Sequence, residues 1–415
     1  MLARRHQVAL VDPATSRVLV VDGALPRHPD RWPSFRDLAA AVGSPEAFVG
    51  GPPWRAEDGT ITNVLVGASS SLPGASWVPL GSVGVPGLVE SVEQWRSGYR
   101  DDGRAAWFVR GWVDPVVAWV SSHAPAPLGP PEAVKLWSLS AVLRFPVLSG
   151  GELFFKATCD GFRAEPALTA AVRALAPDAT PVVLAVDPER AWMLMESLPG
   201  ADDGAPASYA VEVARRLARL QLDSLPARDV LLAAGAPDRG LEATLAKLRT
   251  VLRESVDVLS AEQRARAAAL EPWLAATLRA LWDSPLPDTL AHGDLHLGNV
   301  ARVDDRPVLF DWTDTCLTHP FLDVRHLADS AAENADDPDA ARDEVWQAYA
   351  EPWRTSYPEV DLDALWARTR VANAVFQAIT FEQIYRGQPL SSRWELATVV
   401  GEIVDQLAAV RDGEA

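Results

Sequence analysis

The hydrophobic pattern of this 415-residue chain changes near Gly200. Before that point, short apolar runs alternate with turn residues, a pattern typical of β-strands. Beyond it, apolar residues recur with helical spacing, for example at Val211, Ala214 and Leu217. A chain whose strands come mostly early and whose helices come late is expected to fold as an α+β protein. Its length predicts two or three hydrophobic cores.

Turn signals and linkers divide the chain into three segments. Residues 1–125 are expected to form a small α/β domain, with a hairpin between strands Gln7–Val11 and Val18–Asp22 and no catalytic motif. Residues 126–200, which include a proline-rich linker, indicate a β-rich lobe with one helix, and residues 201–415 indicate a helical lobe. The role of the first segment stays open.

Composition excludes several classes of protein. The formal net charge of −18 argues against nucleic acid and against an anionic membrane surface as partners, since both need basic residues. The same charge is compatible with a cationic small molecule. No apolar run approaches the roughly 20 residues that cross a bilayer, so we expect a cytoplasmic protein. Two cysteines, Cys159 and Cys316, are too few for a disulfide scaffold or a four-thiolate zinc site.

The residues best suited to catalysis lie between His292 and Asp311. Residues 292–299 read His-Gly-Asp-Leu-His-Leu-Gly-Asn, and a later apolar strand ends at Asp311. Phosphoryl transfer to a hydroxyl needs a carboxylate that accepts the hydroxyl proton, and oxygen ligands for Mg²⁺ on the nucleotide phosphates. Asp294 suits the first role, and Asn299 and Asp311 suit the second. These hard oxygen ligands favour magnesium over zinc.

This arrangement of residues resembles the aminoglycoside phosphotransferase and choline kinase-like family, relatives of protein kinases. The resemblance covers roughly residues 130–390, and it implies a bilobal protein-kinase-like fold and a donor that is ATP or GTP with Mg²⁺. It also implies that Asp294 is the catalytic base and that Asn299 and Asp311 bind the metal. The supporting residues that it implies around the catalytic loop are His292, His296 and Asp323.

A weaker set of signals concerns the nucleotide. Lysine is scarce in this chain, yet Lys156 lies in an apolar strand, and Glu165 at the start of the next helix is placed to pair with it. The segment with Glu196 and Leu198 resembles the family's hinge, which faces the nucleotide base. Strands Leu136–Val147 and Glu152–Thr158 form a predicted hairpin, which lacks the family's phosphate-covering glycines. The hydroxyls that could contact phosphates there, or simply form the outward face of a strand, are Ser138 and Ser140.

The acceptor site is the least defined part of the sequence. Trp312 follows Asp311, and the helix near the C-terminus carries Gln377, Glu382 and Tyr385, which are acceptor-site candidates or an ordinary polar helix face. An acidic stretch between Glu333 and Glu344 could flank a cationic acceptor or form a solvated loop.

These observations predict a phosphotransferase that moves the γ-phosphoryl group of ATP or GTP to a hydroxyl of an antibiotic, sugar or amino alcohol. Three alternatives stay open. In one of them, residues 1–125 form the main functional domain and the kinase-like part regulates it. The protein could be a catalytically silent kinase-like module with a binding or regulatory role. Alternatively, His292 and His296, spaced His-x-x-x-His, could bind zinc with nearby aspartates.

Overall fold

The computed structural model describes residues 5–29, 33–99, 104–201, 204–255, 257–333 and 335–413. The chain divides into two compact units. The first comprises Met1–Gly161, Trp192–Met195 and Gly387–Glu395. The second comprises Phe162–Ala191, Glu196–Arg386 and Leu396–Ala415.

The first unit begins with a seven-stranded sheet. Its strands are β1 (Arg5–Asp12), β2 (Arg17–Val21), β3 (Arg27–His28), β4 (Phe48–Val49), β5 (Trp54–Arg55), β6 (Thr60–Val66) and β7 (Ala75–Pro79). The central order is β4-β6-β1-β2-β7, with β3 beside β1 and β5 beside β6. Strands β1 and β6 run parallel, and both are almost wholly buried, as expected of parallel strands covered on both faces. The predicted hairpin of β1 and β2 is confirmed, with Val11 opposite Val18.

Three helices accompany this sheet: α1 (Phe35–Ala41), α2 (Leu88–Ser97) and α3 (Val113–His123). Helix α1 begins at a reciprocal cap, in which Ser34 Oγ accepts the Asp37 N–H and the Asp37 carboxylate accepts the Ser34 N–H. Aromatic side chains of α3 and the strands that follow pack edge to face, as Trp119 does against Phe155 and Trp192.

The strands of residues 126–200 are β8 (Glu132–Leu136), β9 (Ser140–Pro146), β10 (Glu152–Thr158), β11 (Val183–Asp187) and β12 (Trp192–Glu196). The four of them that lie in the first unit are ordered β12-β10-β9-β8. The predicted β9–β10 hairpin is confirmed. The single strand predicted over Leu136–Val147 is wrong, because a turn separates β8 from β9. The Trp137 N–H donates to the Ser140 carbonyl oxygen at 3.1 Å and closes that turn.

The second unit is mainly helical. Its helices are α4 (Glu165–Leu175), α5 (Ala210–Ser224), α6 (Arg228–Ala233), α7 (Leu241–Glu254), α8 (Ala261–Trp282), α9 (Phe321–Ala332), α10 (Pro338–Ser356), α11 (Leu362–Gly387) and α12 (Val399–Asp412). Between α8 and α9 lie β13 (Thr289–Ala291), β14 (Val300–Val303), β15 (Arg306–Leu309) and β16 (Cys316–Thr318), which pair as β13–β16 and β14–β15. Helix α8 starts at a Ser260–Gln263 capping box. A separate 3₁₀ turn, Arg393–Glu395, precedes α12 in the sequence.

The core of the second unit lies where α5, α9 and α10 pack together. Phe321 contacts Trp346, Tyr349 and Trp353 edge to face, and all four side chains are buried. The Tyr349 hydroxyl bonds within this core to the Gln221 side chain and the Pro320 carbonyl oxygen, so its polar atom is satisfied. Helix α5 of this core also packs against the short strand β13.

The predicted class, α+β with strands early and helices late, is confirmed. No helix among the described residues is both long and apolar enough to cross a membrane.

Candidate active site

Residues 292–299 lie on one loop between β13 and β14, which we call the catalytic loop. Strand β15 ends at Leu309, two residues before Asp311. The Phe310 N–H donates to the Asn299 carbonyl oxygen at 3.0 Å, so the end of the loop and the approach to Asp311 are hydrogen-bonded neighbours. The pairing of β14 with β15 therefore brings the end of the catalytic loop next to the residues that precede Asp311.

Asp294 and Asn299 are joined within this loop. The Asn299 Nδ2 donates to the Asp294 backbone oxygen at 2.9 Å and lies 3.4 Å from Asp294 Oδ2. The amide oxygen of Asn299 is thereby left to serve as a ligand for a hard cation. The Asp294 side chain is 39% exposed, so its carboxylate is accessible to a substrate.

Asp323 supports the start of the loop. This buried carboxylate, in the first turn of α9, accepts the His292 N–H at 2.6 Å and the Gly293 N–H at 2.8 Å. Burial raises the pKa of Asp323 to about 6, although the two backbone donors oppose the shift. The supporting role that the family resemblance implied for Asp323 agrees with this geometry.

His292 links the loop to the strand before Asp311. Its Nε2 donates to the Phe310 carbonyl oxygen at 2.9 Å, and its ring lies 4.5 Å from the Trp312 ring. Because the ring is fully buried, desolvation lowers the pKa of His292 to about 4, so the imidazole is neutral at neutral pH. His292 therefore connects the loop to the end of the strand before Asp311.

Gly293 is required by its backbone conformation and by a close approach to Asp314. Its φ of +87° is in the region that favours glycine, and a Cβ there would lie 2.2 Å from the Asp314 backbone oxygen. The Gly293 carbonyl oxygen accepts the Gln377 Nε2–H at 3.1 Å. Helix α11 thus holds the loop at its turn, and Gln377, an acceptor-site candidate, contributes to the support of the loop.

Two imidazoles flank the Asp294 carboxylate. His326 Nε2 lies 3.3 Å from Asp294 Oδ1, and His296 Nε2 lies 3.8 Å from Oδ2. The Gly298 N–H donates to His296 Nδ1 at 3.0 Å, which fixes the ring. Burial lowers the pKa of His296. Burial acts the same way on His326, but the hydrogen bond to Asp294 and its charge outweigh it and raise the pKa of His326.

Asp311 lies in a strained backbone conformation, with φ of +67°. The Thr313 hydroxyl is 3.0 Å from Asp311 Oδ1 and 3.3 Å from Asp314 Oδ2. Burial, followed by the negative charges of Asp294 and Asp311, raises the pKa of Asp314 to about 7. The sequence did not single out Asp314 or His326, although the charge of each group interacts with that of Asp294.

A cavity of about 940 Å³ in the second unit opens beside the catalytic loop. Asp294, His326 and Gln377 all line it, and so do Glu333 and Asp343 of the acidic stretch. The other acceptor candidates are not among its lining residues. Trp312 is buried and donates to the Leu309 carbonyl oxygen, Glu382 pairs with Arg386, and Tyr385 lies 3.4 Å from Asp257.

The nucleotide-binding candidates of the first unit are buried. Lys156 lies on β10 opposite Val142. Ser138 donates to Glu395 Oε2 at 2.5 Å and accepts the Gln388 Nε2–H at 2.6 Å. Ser140 accepts the Trp137 Nε1–H at 2.7 Å. The alternative that both serines form the outward face of a strand is therefore wrong.

The remaining candidates belong to the second unit. Glu165 is buried at the first residue of α4, Glu196 is exposed, and Leu198 is partly buried. The Glu196 N–H donates to the Val182 carbonyl oxygen at 3.0 Å. The ion pair between Lys156 and Glu165 and the hinge role of Glu196 and Leu198 stay predictions.

The donor set fits magnesium better than zinc. Mg²⁺ in nucleotide sites is held by one or two protein oxygens together with phosphates, which the Asn299 amide and the Asp311 carboxylate can supply. Zinc needs three or four nitrogen, sulfur or carboxylate ligands. The described ranges contain no group of three or more histidines, cysteines and acids placed for a metal, and His292 Nε2 is bonded to a carbonyl oxygen. The geometry therefore argues against the zinc alternative.

Solved structures with a similar fold are small-molecule kinases and phosphotransferases. A choline kinase from Cryptosporidium parvum matches 73% of this chain and 97% of its own, with 12% identity and a TM-score of 0.51. A type I macrolide 2′-phosphotransferase matches 72% of this chain and 98% of its own, with 16% identity and a TM-score of 0.50. APH(2″)-IIia, in complex with GDP and kanamycin, matches 72% and 99%, with 14% identity and a TM-score of 0.50. At these identities the likeness shows the fold, which is protein-kinase-like.

The chain belongs to the phosphotransferase enzyme family, whose model matches residues 152–362, just over half of the sequence. The resemblance seen in residues 292–311 is thereby confirmed, and those residues lie inside the matched range. No curated protein matches the chain.

Proposed function

We propose that this protein transfers the γ-phosphoryl group of ATP or GTP to a hydroxyl group of a small molecule, with Mg²⁺. The observation that carries the proposal is the position of Asp294, whose loop is bonded to the segment before Asp311 and whose side chain lines the cavity. This position supports the two roles that phosphoryl transfer needs, a base that faces an acceptor and oxygen ligands for the metal nearby.

Asp294 acts on the acceptor in this scheme. The carboxylate accepts a hydrogen bond from the acceptor hydroxyl and takes its proton as the oxygen attacks the γ-phosphorus. The bond between the γ-phosphorus and the β,γ-bridging oxygen breaks, and the nucleoside diphosphate leaves. A Mg²⁺ ion held by Asn299 and Asp311 would neutralise charge on the phosphate oxygens. His292, Gly293 and Asp323 keep the loop in place.

The nucleotide contacts are proposed from the family resemblance. The Lys156 ammonium binds phosphate oxygens and Glu165 orients it, while the backbone at Glu196 and Leu198 faces the base. A nucleoside triphosphate donor is compatible with a cytoplasmic location.

The cavity supports an acceptor with both hydroxyl and cationic groups. Acidic side chains outnumber basic ones in its lining by five (Asp294, Asp329, Glu333, Asp339 and Asp343) to three (Arg325, Arg342 and Arg370). An amine-bearing alcohol would meet the Asp294 carboxylate with its hydroxyl and the acidic rim with its cation. The class includes amino sugars and amino alcohols.

The test is a screen for phosphorylated products. The protein is incubated with MgATP or MgGTP and a panel of aminoglycosides, macrolides, amino alcohols and sugars, and mass spectrometry detects a gain of one phosphoryl group. We expect a gain on at least one acceptor that chelation of magnesium and Asp294→Ala both abolish. Nucleotide binding without transfer to any acceptor or to water would support the silent module instead, and product formation in excess chelator would contradict the metal assignment.

A further inference from the structure

Helix α9 holds the catalytic loop at three points. Asp323 accepts the His292 and Gly293 N–H groups, Ser330 Oγ accepts the Leu297 N–H at 3.2 Å, and His326 reaches Asp294. These three residues are three and four positions apart in sequence, so they form one face of the helix. Two of the contacts fix the loop backbone, and the third is directed at the side chain of the proposed base.

The Asp294 carboxylate is held at both oxygens. His326 Nε2 is 3.3 Å from Oδ1, whereas Asn299 Nδ2 is 3.4 Å from Oδ2 and also bonds the Asp294 backbone. A carboxylate with a donor at each oxygen loses its freedom to rotate about its last bond. Correct aim of a base matters because a misplacement of about 1 Å costs as much as about 100-fold in rate.

His326 is not part of the packed core. Its side chain is 33% exposed and lines the cavity beside Asp294. Its replacement therefore leaves no void in the core and should not unfold the protein. The groups that act electrostatically on its imidazole include Asp294, Asp323 and Asp329, and the His296 ring lies 5.6 Å away. The other charged groups that line the same cavity are Arg325, Glu333, Asp339, Arg342, Asp343 and Arg370.

We infer that His326 is a positioning residue, which donates Nε2–H to Asp294 Oδ1 and aims the carboxylate at the acceptor hydroxyl. This role rests on the proposed function of Asp294 as the base. His326 itself neither takes the acceptor proton nor touches the phosphoryl group. Its contribution passes through Asp294, and that property separates it from a residue that shapes the cavity alone.

The contact is tested first on the protein without any acceptor. An NMR titration of the imidazole signals measures the pKa of His326 in the wild type and in Asp294→Asn. We expect this pKa to fall in Asp294→Asn, because the carboxylate stabilises the imidazolium and burial then acts unopposed. An unchanged pKa would overturn the inferred hydrogen bond.

The kinetic test uses MgATP with water as the acceptor. We expect His326→Ala to lower kcat about 10-fold or more with an unchanged KM for MgATP, and His326→Gln to retain more activity because its amide can donate. In an Asp294→Ala background, His326→Ala should cause no further loss. His123→Gln, at an exposed histidine on α3 in the first unit, is the matched control and should behave as the wild type.

The outcomes separate this inference from the proposed function. A wild type without turnover on MgATP or MgGTP, with water or any acceptor, would sink the proposed function, while the titration still decides on the His326–Asp294 contact. An active wild type in which His326→Ala is equally active would overturn the positioning role alone. A further loss in the Asp294→Ala background would show that His326 acts independently of Asp294, which also overturns it.

Discussion

The two units of this molecule use their buried polar side chains in different ways. In the first unit, Ser138, Gln388 and Glu395 are buried and bond to one another. In the second unit, buried Asp323 and His292 bond instead to the backbone of a loop and of a strand end. A buried polar group is costly unless it is bonded, so both arrangements satisfy the same requirement.

The difference indicates what each arrangement does. Side chains that satisfy one another stabilise a fold, whereas side chains that hold a loop leave its own acid, Asp294, accessible beside a cavity. Changes around the catalytic loop should therefore act on turnover, and changes in the Ser138 cluster should act on stability. Variants in each unit can test this contrast.

The largest effect is expected for Asp294→Ala. Loss of the base should lower kcat by about 10²- to 10⁴-fold, while nucleotide binding and the free energy of unfolding stay close to the wild type, since the side chain is partly exposed. Steady-state kinetics, nucleotide titration and chemical denaturation measure the three quantities. Asp223→Ala, at an exposed residue of α5, is the control. Wild-type turnover in Asp294→Ala would end its assignment as base.

Gly293→Ala should be the next most severe change. An alanine there must adopt φ of +87° and place its Cβ 2.2 Å from the Asp314 oxygen, so the loop has to shift. We expect turnover to fall about 100-fold or more, with a loss of about 1–3 kcal/mol in unfolding free energy from strain. Gly81→Ala, where the added Cβ meets open space, is the control. Equal behaviour of the two variants would show that the loop is not rigid.

The same contrast explains which parts of the structure could be predicted from sequence. The catalytic loop was predictable because His292, Asp294 and Asn299 lie within eight residues and a strand leads to Asp311. The bonding of Ser138 was not, because its partners Gln388 and Glu395 are 250 and 257 residues away in sequence. Long-range contacts of that kind leave no local pattern.

His326 is an intermediate case. It lies three residues after Asp323, whose role the family resemblance implied, so helical spacing puts both on the same face of α9. That signal was present in the sequence, but it becomes informative only when the helix is known to face the loop. Asp314 gave no signal, because its influence depends on burial and on nearby charges.

In the first unit, Ser138→Ala should act on stability. Removing the hydroxyl leaves the buried Gln388 and Glu395 side chains without that partner, which costs about 1–3 kcal/mol in unfolding free energy. Chemical denaturation measures the loss, and Ser82→Ala, at an exposed hydroxyl, is the control. A raised KM for MgATP with unchanged stability would contradict this prediction and support the phosphate contact that the sequence suggested for Ser138.

A smaller, pH-dependent effect is expected at His319 in the second unit. Burial lowers the pKa of His319 to about 3, so between its ordinary value of 6.5 and about 3 the folded state binds fewer protons than the unfolded state. Stability from this residue is therefore lost as the pH falls below 6.5, by about 2 kcal/mol at about pH 5. The loss in unfolding free energy from about pH 7 to about pH 5 should be smaller in His319→Phe than in the wild type. Equal losses of unfolding free energy in the two proteins would show that His319 is not the source of this pH dependence.

The smallest effect is expected at the rim of the cavity. Glu333 and Asp343 line it but are exposed, so each attracts a cationic acceptor weakly, by about 0.2–1 kcal/mol. Glu333→Gln and Asp343→Asn should each raise KM for an amine-bearing acceptor by about 1.5- to 5-fold and leave kcat unchanged, and added salt should erase the difference. Glu359→Gln, at an exposed residue outside the cavity, is the control. If the variants raise KM equally for a neutral acceptor, Glu333 and Asp343 affect acceptor binding through the shape of the cavity and not through their charge.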